Sequence, residues 1–284
     1  VLNRFHHFQK DPLLLQQVPH SSIEYQSTAL ASKLYYPCYN RSMIYWQVQA
    51  DRMTRLLVSV KDRNEAETAR SAGVVWLDVK NPAAGSLGQA STGELLAIAQ
   101  GLDQGILLSA ALGELADLAS LPVGWPWSRL NLVKVGLAGL DKAPWQAMIQ
   151  TLNPKITELG TTLVLGAYAD HERAHAPLPE DVLAFAIQAG MPALLIDTWC
   201  KDGTRLLDWL DSSRISELLR CAQNAGIALA LAGSLDLESA QRLLPLHPAW
   251  LAVRGSVCKD GLRTDGIDPD RIKSWLHQLA SSAG

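Results

Sequence analysis

Leu56-Leu57-Val58-Ser59-Val60, then Asn64-Glu65-Ala66-Glu67-Thr68-Ala69-Arg70-Ser71-Ala72-Gly73, then Val75-Trp76-Leu77-Asp78-Val79, decide the fold class. The two outer runs are short and nearly all apolar, the pattern of strands buried on both faces. The middle segment is amphipathic and closes on glycine, as a helix does. Strand, helix, strand in that order is a βαβ unit, so the two strands run parallel. The same alternation continues, with further strands expected at 106–110, 132–135, 163–167, 193–196, 228–232 and 251–253. Further helices are expected at 179–190, which opens on proline and acidic residues, and at 213–225, which stops at Gly226. The intervening segments are long enough for a crossover helix in nearly every case. Eight such units in about 230 residues fit an α/β fold of the TIM (β/α)8 barrel type, as one domain. An open doubly wound sheet is the alternative, because periodicity counts strands without showing closure. No GxGxxG follows the first strand and no P-loop occurs, which disfavours a dinucleotide domain or NTPase.

The 284 residues are 48% hydrophobic and 19% charged, enough for a full core, and the net charge of −3 gives no general attraction to nucleic acid or to an anionic membrane. Cys38, Cys200, Cys221 and Cys258 form no CxxC pair, so reduced thiols and a cytoplasmic location are expected. No apolar run approaches the ~20 residues of a spanning helix. Residues 1–52 contain none of the 20 glycines but five of the six tyrosines, and no periodicity persists in them. The reading adopted is that Met53 starts the catalytic barrel, 53–284, and that 1–52 is upstream or disordered sequence. A genuine N-terminal extension that packs on the barrel or mediates oligomerisation is the competing one.

In a TIM barrel, chemistry sits at the C-terminal ends of the strands. Charges gather there: Asp78 and Lys80 at the second strand, Lys134 at the fourth, Asp197 at the sixth, and Lys201 in the loop after it. Lys61, Asp62 and Asp170 follow the first and fifth strands. Residues two apart in a strand share a face, so Asp78 and Lys80 should project together, beside the glycine-bearing loop Gly85-Ser86-Leu87-Gly88. An amine beside a carboxylate equips a site for imine chemistry on a carbonyl substrate; a structural salt bridge at the mouth is the bland alternative. Burial of Lys134 between Val133 and Val135 would push its amine towards use as a base. Strands seven and eight end in Ala232-Gly233-Ser234 and Arg254-Gly255-Ser256, where backbone N–H groups, Ser234, Ser256 and Arg254 could bind a phosphate. Tight turns alone would also account for Gly233 and Gly255. His171 and His175 lack a third ligand, so no metal is expected, and the tryptophans read as packing.

The segments 56–62, 77–82 with 85–88, Val133-Lys134-Val135-Gly136-Leu137, Gly166-Ala167-Tyr168-Ala169-Asp170, Asp197-Thr198 with Lys201-Asp202-Gly203, 231–234 and 253–255 run in order through residues 54–280. Together they resemble the (5-formylfuran-3-yl)methyl phosphate synthase family. The resemblance implies a TIM-barrel lyase that condenses two molecules of glyceraldehyde 3-phosphate into a phosphorylated furan aldehyde, a precursor of methanofuran-type one-carbon carriers. It implies Lys80 as the Schiff-base lysine and Lys134 as the proton acceptor. Asp78, Asp197 and Lys201 match further active-site charges; on the charges themselves, Asp78 would orient Lys80 and shuttle protons. No organic or metal cofactor is implied, and homo-oligomerisation stays open. Trp199-Cys200 and residues 1–52 depart from the family pattern, and no role attaches to Tyr168 or Asp170. The rival readings are another class I phosphate-sugar aldolase or isomerase on this scaffold, and a non-catalytic barrel partner in one-carbon-carrier metabolism.

Overall fold

The computed structural model describes residues 53–282; the expectation about 1–52 lies outside the described residues. Eight parallel strands follow one another around a closed barrel: β1 (Arg55–Val60), β2 (Trp76–Val79), β3 (Leu107–Glu114), β4 (Leu132–Gly136), β5 (Thr162–Tyr168), β6 (Ala193–Asp197), β7 (Ala228–Leu231) and β8 (Trp250–Val253). Because β1 pairs with both β2 and β8, the expected barrel holds and the open sheet does not. No helix among the described residues is long and apolar enough to cross a membrane.

Local chemistry sets where the helices begin. Helix α1 (Arg63–Ser71) starts where the Asp62 carboxylate accepts from the Glu65 N–H at 2.9 Å, satisfying an N–H that the first turn leaves without a partner. Ser91 and Glu94 cap α2 (Thr92–Gly101) reciprocally. The outer layer continues with α3 (Trp145–Glu158), α4 (His171–Ala174), α5 (Pro179–Gln188), α6 (Leu206–Trp209), α7 (Ser212–Asn224), α8 (Leu237–Leu243) and α9 (Pro269–Ser281). The β3–β4 connection differs from expectation. Its described residues hold only 3-10 turns, Leu115–Asp117 and Trp127–Arg129. Pro122, Gly124 and Pro126 crowd this segment and prevent a helix from propagating, and buried Trp125 joins the outer core there instead.

One apolar layer, including Val58, Leu77, Ile98, Val133 and Ile196, packs between strands and helices. The other lies inside the barrel and follows the two-residue strand period. At its N-terminal end, Leu57, Trp76, Leu132, Val164, Leu195 and Trp250 form a floor, with Trp76 and Trp250 meeting edge to face at 5.0 Å. Two residues further along, the same inward-facing positions are Ser59, Asp78, Lys134, Gly166 and Asp197. The interior therefore changes from apolar to polar within one step of the pleat.

Strand β3 runs four residues past its expected end. Gly113 has φ +91°, and the register with β4 shifts between Ala111 and Glu114. That bulge sets Glu114 opposite Gly136, at the mouth.

Candidate active site

Asp78 is fully buried, and its surroundings make that tolerable. Ser59 on β1 and Ser109 on β3 are its register neighbours. Their hydroxyls donate to its two oxygens at 3.2 and 2.8 Å. The Lys134 ammonium, reaching down from β4, lies 2.6 Å from Asp78 Oδ2. The expected partnership of Asp78 with Lys80 is thus an Asp78–Lys134 ion pair. Lys80 is the first residue beyond β2 and bonds to the loop that follows, at the Ser86 carbonyl, while Asp78 stays close enough to act on its charge.

Lys80 is also buried, but it makes no ion pair among the described residues. Its Nζ donates to the Ser86 carbonyl at 3.2 Å. Burial drives its amine down from 10.5 to about 7, against the opposing pull of Asp197 and Asp78 and with help from the charges of Lys201 and Lys134. A large fraction of Lys80 is therefore uncharged near neutrality.

A second ion pair completes the ring. Lys201 Nζ donates to Asp197 Oδ1 at 2.7 Å and to Thr198 Oγ1 at 3.1 Å. Ser86 Oγ lies 2.7 Å from Asp197 Oδ2 and 2.9 Å from the Thr198 carbonyl, which ties the β2 loop to the end of β6. Burial alone would raise the Asp197 carboxyl; Lys201 and Lys80 outweigh it and hold the group at about 2. Asp197 is a permanent anion at neutral pH. Asp78, Lys80, Lys134 and Asp197 are buried and Lys201 is half-buried, two ion pairs whose charges act on the Lys80 amine.

Neighbouring residues hold this cluster in place. Asp170, 1% exposed, accepts from the N–H groups of Trp199 and Cys200 at 2.6 and 2.9 Å, fixing the loop that carries Lys201. Tyr168 donates to Glu114 Oε1 at 2.6 Å, and the Ala138 N–H donates to Glu114 Oε2 at 3.0 Å. Burial and the adjacent Glu114 raise the Tyr168 phenol well above its usual range, and burial likewise raises Glu114. Gly136 makes this contact sterically feasible: a Cβ there would lie 2.1 Å from Glu114 Oε2 and 2.3 Å from the Tyr168 hydroxyl. The only sequence clue to Glu114 is that it ends the β3 apolar run, after Gly113.

At the phosphate-site candidates the picture is mixed. Gly233 has φ +108° and sits against Thr198, where a Cβ would come within 3.0 Å of the threonine methyl. Ser234, at φ +52°, is exposed beside it. Gly255 and Ser256 open a 3-10 turn after β8, and the buried Ser256 hydroxyl has no partner among the described residues. Arg254 departs from expectation. Its fork closes on both oxygens of buried Glu65, and its other N–H groups go to the carbonyls of Ser59 (3.1 Å), Arg263 (2.7 Å) and Asp265 (3.0 Å). All five guanidinium donors are engaged within the protein, leaving none for a phosphate.

The model of the family described as 4-HFC-P synthase matches residues 56–276. The chain belongs to this family. A relative from Methanocaldococcus jannaschii named (5-formylfuran-3-yl)methyl phosphate synthase is 34% identical over 77% of this chain and 96% of its own length. One of the same name from Methanopyrus kandleri is 32% identical over 81% of this chain and 98% of its own. The family is one of synthases, so the protein is an enzyme. Among solved structures, an archaeal fructose 1,6-bisphosphate aldolase matches with TM-score 0.55 at 14% identity, covering 85% of this chain and 100% of that one. The YdjI aldolase from Escherichia coli K12 matches at 0.58 and 10%, covering 85% and 97%. At such identities these matches speak for the barrel alone.

Proposed function

We propose that this family member makes (5-formylfuran-3-yl)methyl phosphate from two molecules of glyceraldehyde 3-phosphate, through an imine on Lys80, in the biosynthesis of a methanofuran-type carrier. The observation that carries this reading is the Lys80 amine: buried, held near 7, and bonded only to a backbone carbonyl among the described residues. An uncharged amine attacks an aldehyde; an ammonium does not. Attack expels water and leaves an iminium, which acidifies the neighbouring carbon. The Asp78–Lys134 pair, 2.6 Å apart, is the proton-handling couple beside it. Lys201, ion-paired with Asp197 on the loop pinned by Asp170, is the proposed cation that steadies oxygen charge as it develops.

The balance closes. Two triose phosphates lose one inorganic phosphate and two waters, with one carbon–carbon bond formed and one ring closed, and no net oxidation. The backbone turns at Gly233–Ser234 and Gly255–Ser256 are the proposed seat of a substrate phosphate. The test is to incubate the full chain with glyceraldehyde 3-phosphate, reduce with borohydride, and map peptides by mass. A reduced adduct on Lys80 together with furan product is expected. Furan with the adduct on Lys134 or Lys201 would reassign the roles; neither furan nor adduct would sink the reading.

A further inference from the structure

We propose that Arg263 is the cation that grips the substrate's phosphate at the barrel mouth, and that Arg254 serves to position it. This rests on the reading above that the substrate is a phosphorylated aldehyde. Arg263 lies in the segment between β8 and α9 and is half-buried. Its Nη2 donates to the Gly85 carbonyl at 2.8 Å, so the side chain crosses from the β8 loop to the loop that carries Ser86. Most half-buried or buried arginines here meet a carboxylate, as Arg254 meets Glu65 and Arg214 meets Glu180. Arg263 makes no ion pair among the described residues. Burial and the nearby Arg254 work against its charge, relieved in part by Cys258 and, more, by the Asp197 carboxylate.

That carboxylate is already matched by Lys201, and Asp78 by Lys134. Arg263 is therefore a partly desolvated positive charge that no carboxylate meets among the described residues: Asp197 and Asp78 are held by lysines, and Glu114 is bound to Tyr168 and the Ala138 N–H. An anion would supply what the protein lacks. The planar guanidinium fork suits a phosphate monoester, and among the described residues one of its donors is taken up, by Gly85.

Position supplies a second argument. A Cβ on Gly255 would lie 4.0 Å from Arg263 Cβ, so the arginine stem runs past the β8 turn. That turn also bears the Ser256 hydroxyl, buried and without a partner among the described residues. The Arg254 guanidinium holds the carbonyls of Arg263 and Asp265, fixing the segment from which the Arg263 side chain departs. The two arginines divide the work: one is spent on the scaffold, the other faces the ligand.

The test uses the full chain with Arg263→Gln and Arg263→Lys. Inorganic phosphate is titrated calorimetrically, and borohydride trapping on Lys80 is compared for glyceraldehyde 3-phosphate and unphosphorylated glyceraldehyde. Arg263→Gln should weaken phosphate binding by about tenfold or more and raise the half-saturating triose phosphate similarly. Trapping of glyceraldehyde should stay within about twofold of wild type, and Arg263→Lys should fall between, keeping the charge without the fork. Equal loss for both aldehydes, or phosphate binding that is absent from wild type or unchanged in Arg263→Gln, would overturn the proposal. If wild type traps neither aldehyde, the imine reading fails by itself. The phosphate titration then decides Arg263: weakened binding in Arg263→Gln upholds the site, and unchanged binding removes it.

Discussion

Replacing Lys80 by methionine should change how stability depends on pH. Burial takes the Lys80 amine from 10.5 to about 7. At roughly 1.4 kcal/mol per unit, the folded state bears on the order of 5 kcal/mol against it wherever both states hold the proton, which is below about pH 7. Between about pH 7 and 10.5 the unfolded lysine keeps its proton and the folded one does not. The unfolded state then binds more protons, so stability rises with pH across that window. Methionine has no proton to lose. The lost bond to the Ser86 carbonyl and the change in packing are the same at every pH, and they cancel when the pH dependence of the two proteins is compared. Wild type should therefore gain about 3 kcal/mol on Lys80→Met between about pH 6 and pH 9. Urea unfolding followed by tryptophan fluorescence, repeated at each pH, measures the difference. Two stability curves that run parallel over this range would refute the claim that Lys80 is buried as a depressed amine.

Asp78→Asn leaves the Lys134 ammonium buried without its counter-charge and should cost about 3–5 kcal/mol in urea unfolding, besides abolishing furan formation. Arg254→Lys forfeits the fork to Glu65 and most of the three carbonyl bonds; a loss of about 2–4 kcal/mol is expected by thermal or urea denaturation. Gly136→Ala drives a methyl into Glu114 and Tyr168, for about 1–3 kcal/mol. In a Glu114→Ala, Tyr168→Phe background that cost should largely vanish, which a double-mutant cycle reads directly. Adduct formation on Lys80 should rise with pH through about 7 and level off above it, because the uncharged amine is the nucleophile; a rate flat from about pH 6 to 8 would contradict this.

The barrel was legible because parallel strands covered on both faces appear as unbroken apolar runs, and because several helices advertise an end through Gly73, Pro179 and Gly226. The charged positions at the strand ends were legible for the same reason: a charge terminating a buried run stands out. Their pairing was not. Lysine side chains are long enough to skip a strand, so Asp78 finds Lys134 and not its chain neighbour Lys80. Arg254 beside Gly255 reads as an anion site until Glu65, 189 residues earlier, is seen to occupy it. Nothing local marks Arg263, and the meeting of Glu114, Gly136 and Tyr168 depends on a bulge that registers only when three strands are aligned.

The bridge between Arg254 and Glu65 has a consequence for the order in which the chain can mature. Helix α1 emerges from the ribosome early, carrying a carboxylate suited to a buried position, and the strand before it presents an unpaired edge. Both wait for β8, the last of the barrel's strands to be made, which brings the guanidinium and the closing hydrogen bonds at once. Until then the nascent barrel is an open, sticky sheet whose seam carboxylate has only Lys61 for a counter-charge. A stall or truncation before β8 should therefore yield aggregates rather than a smaller folded protein, with the last strand acting as the clasp.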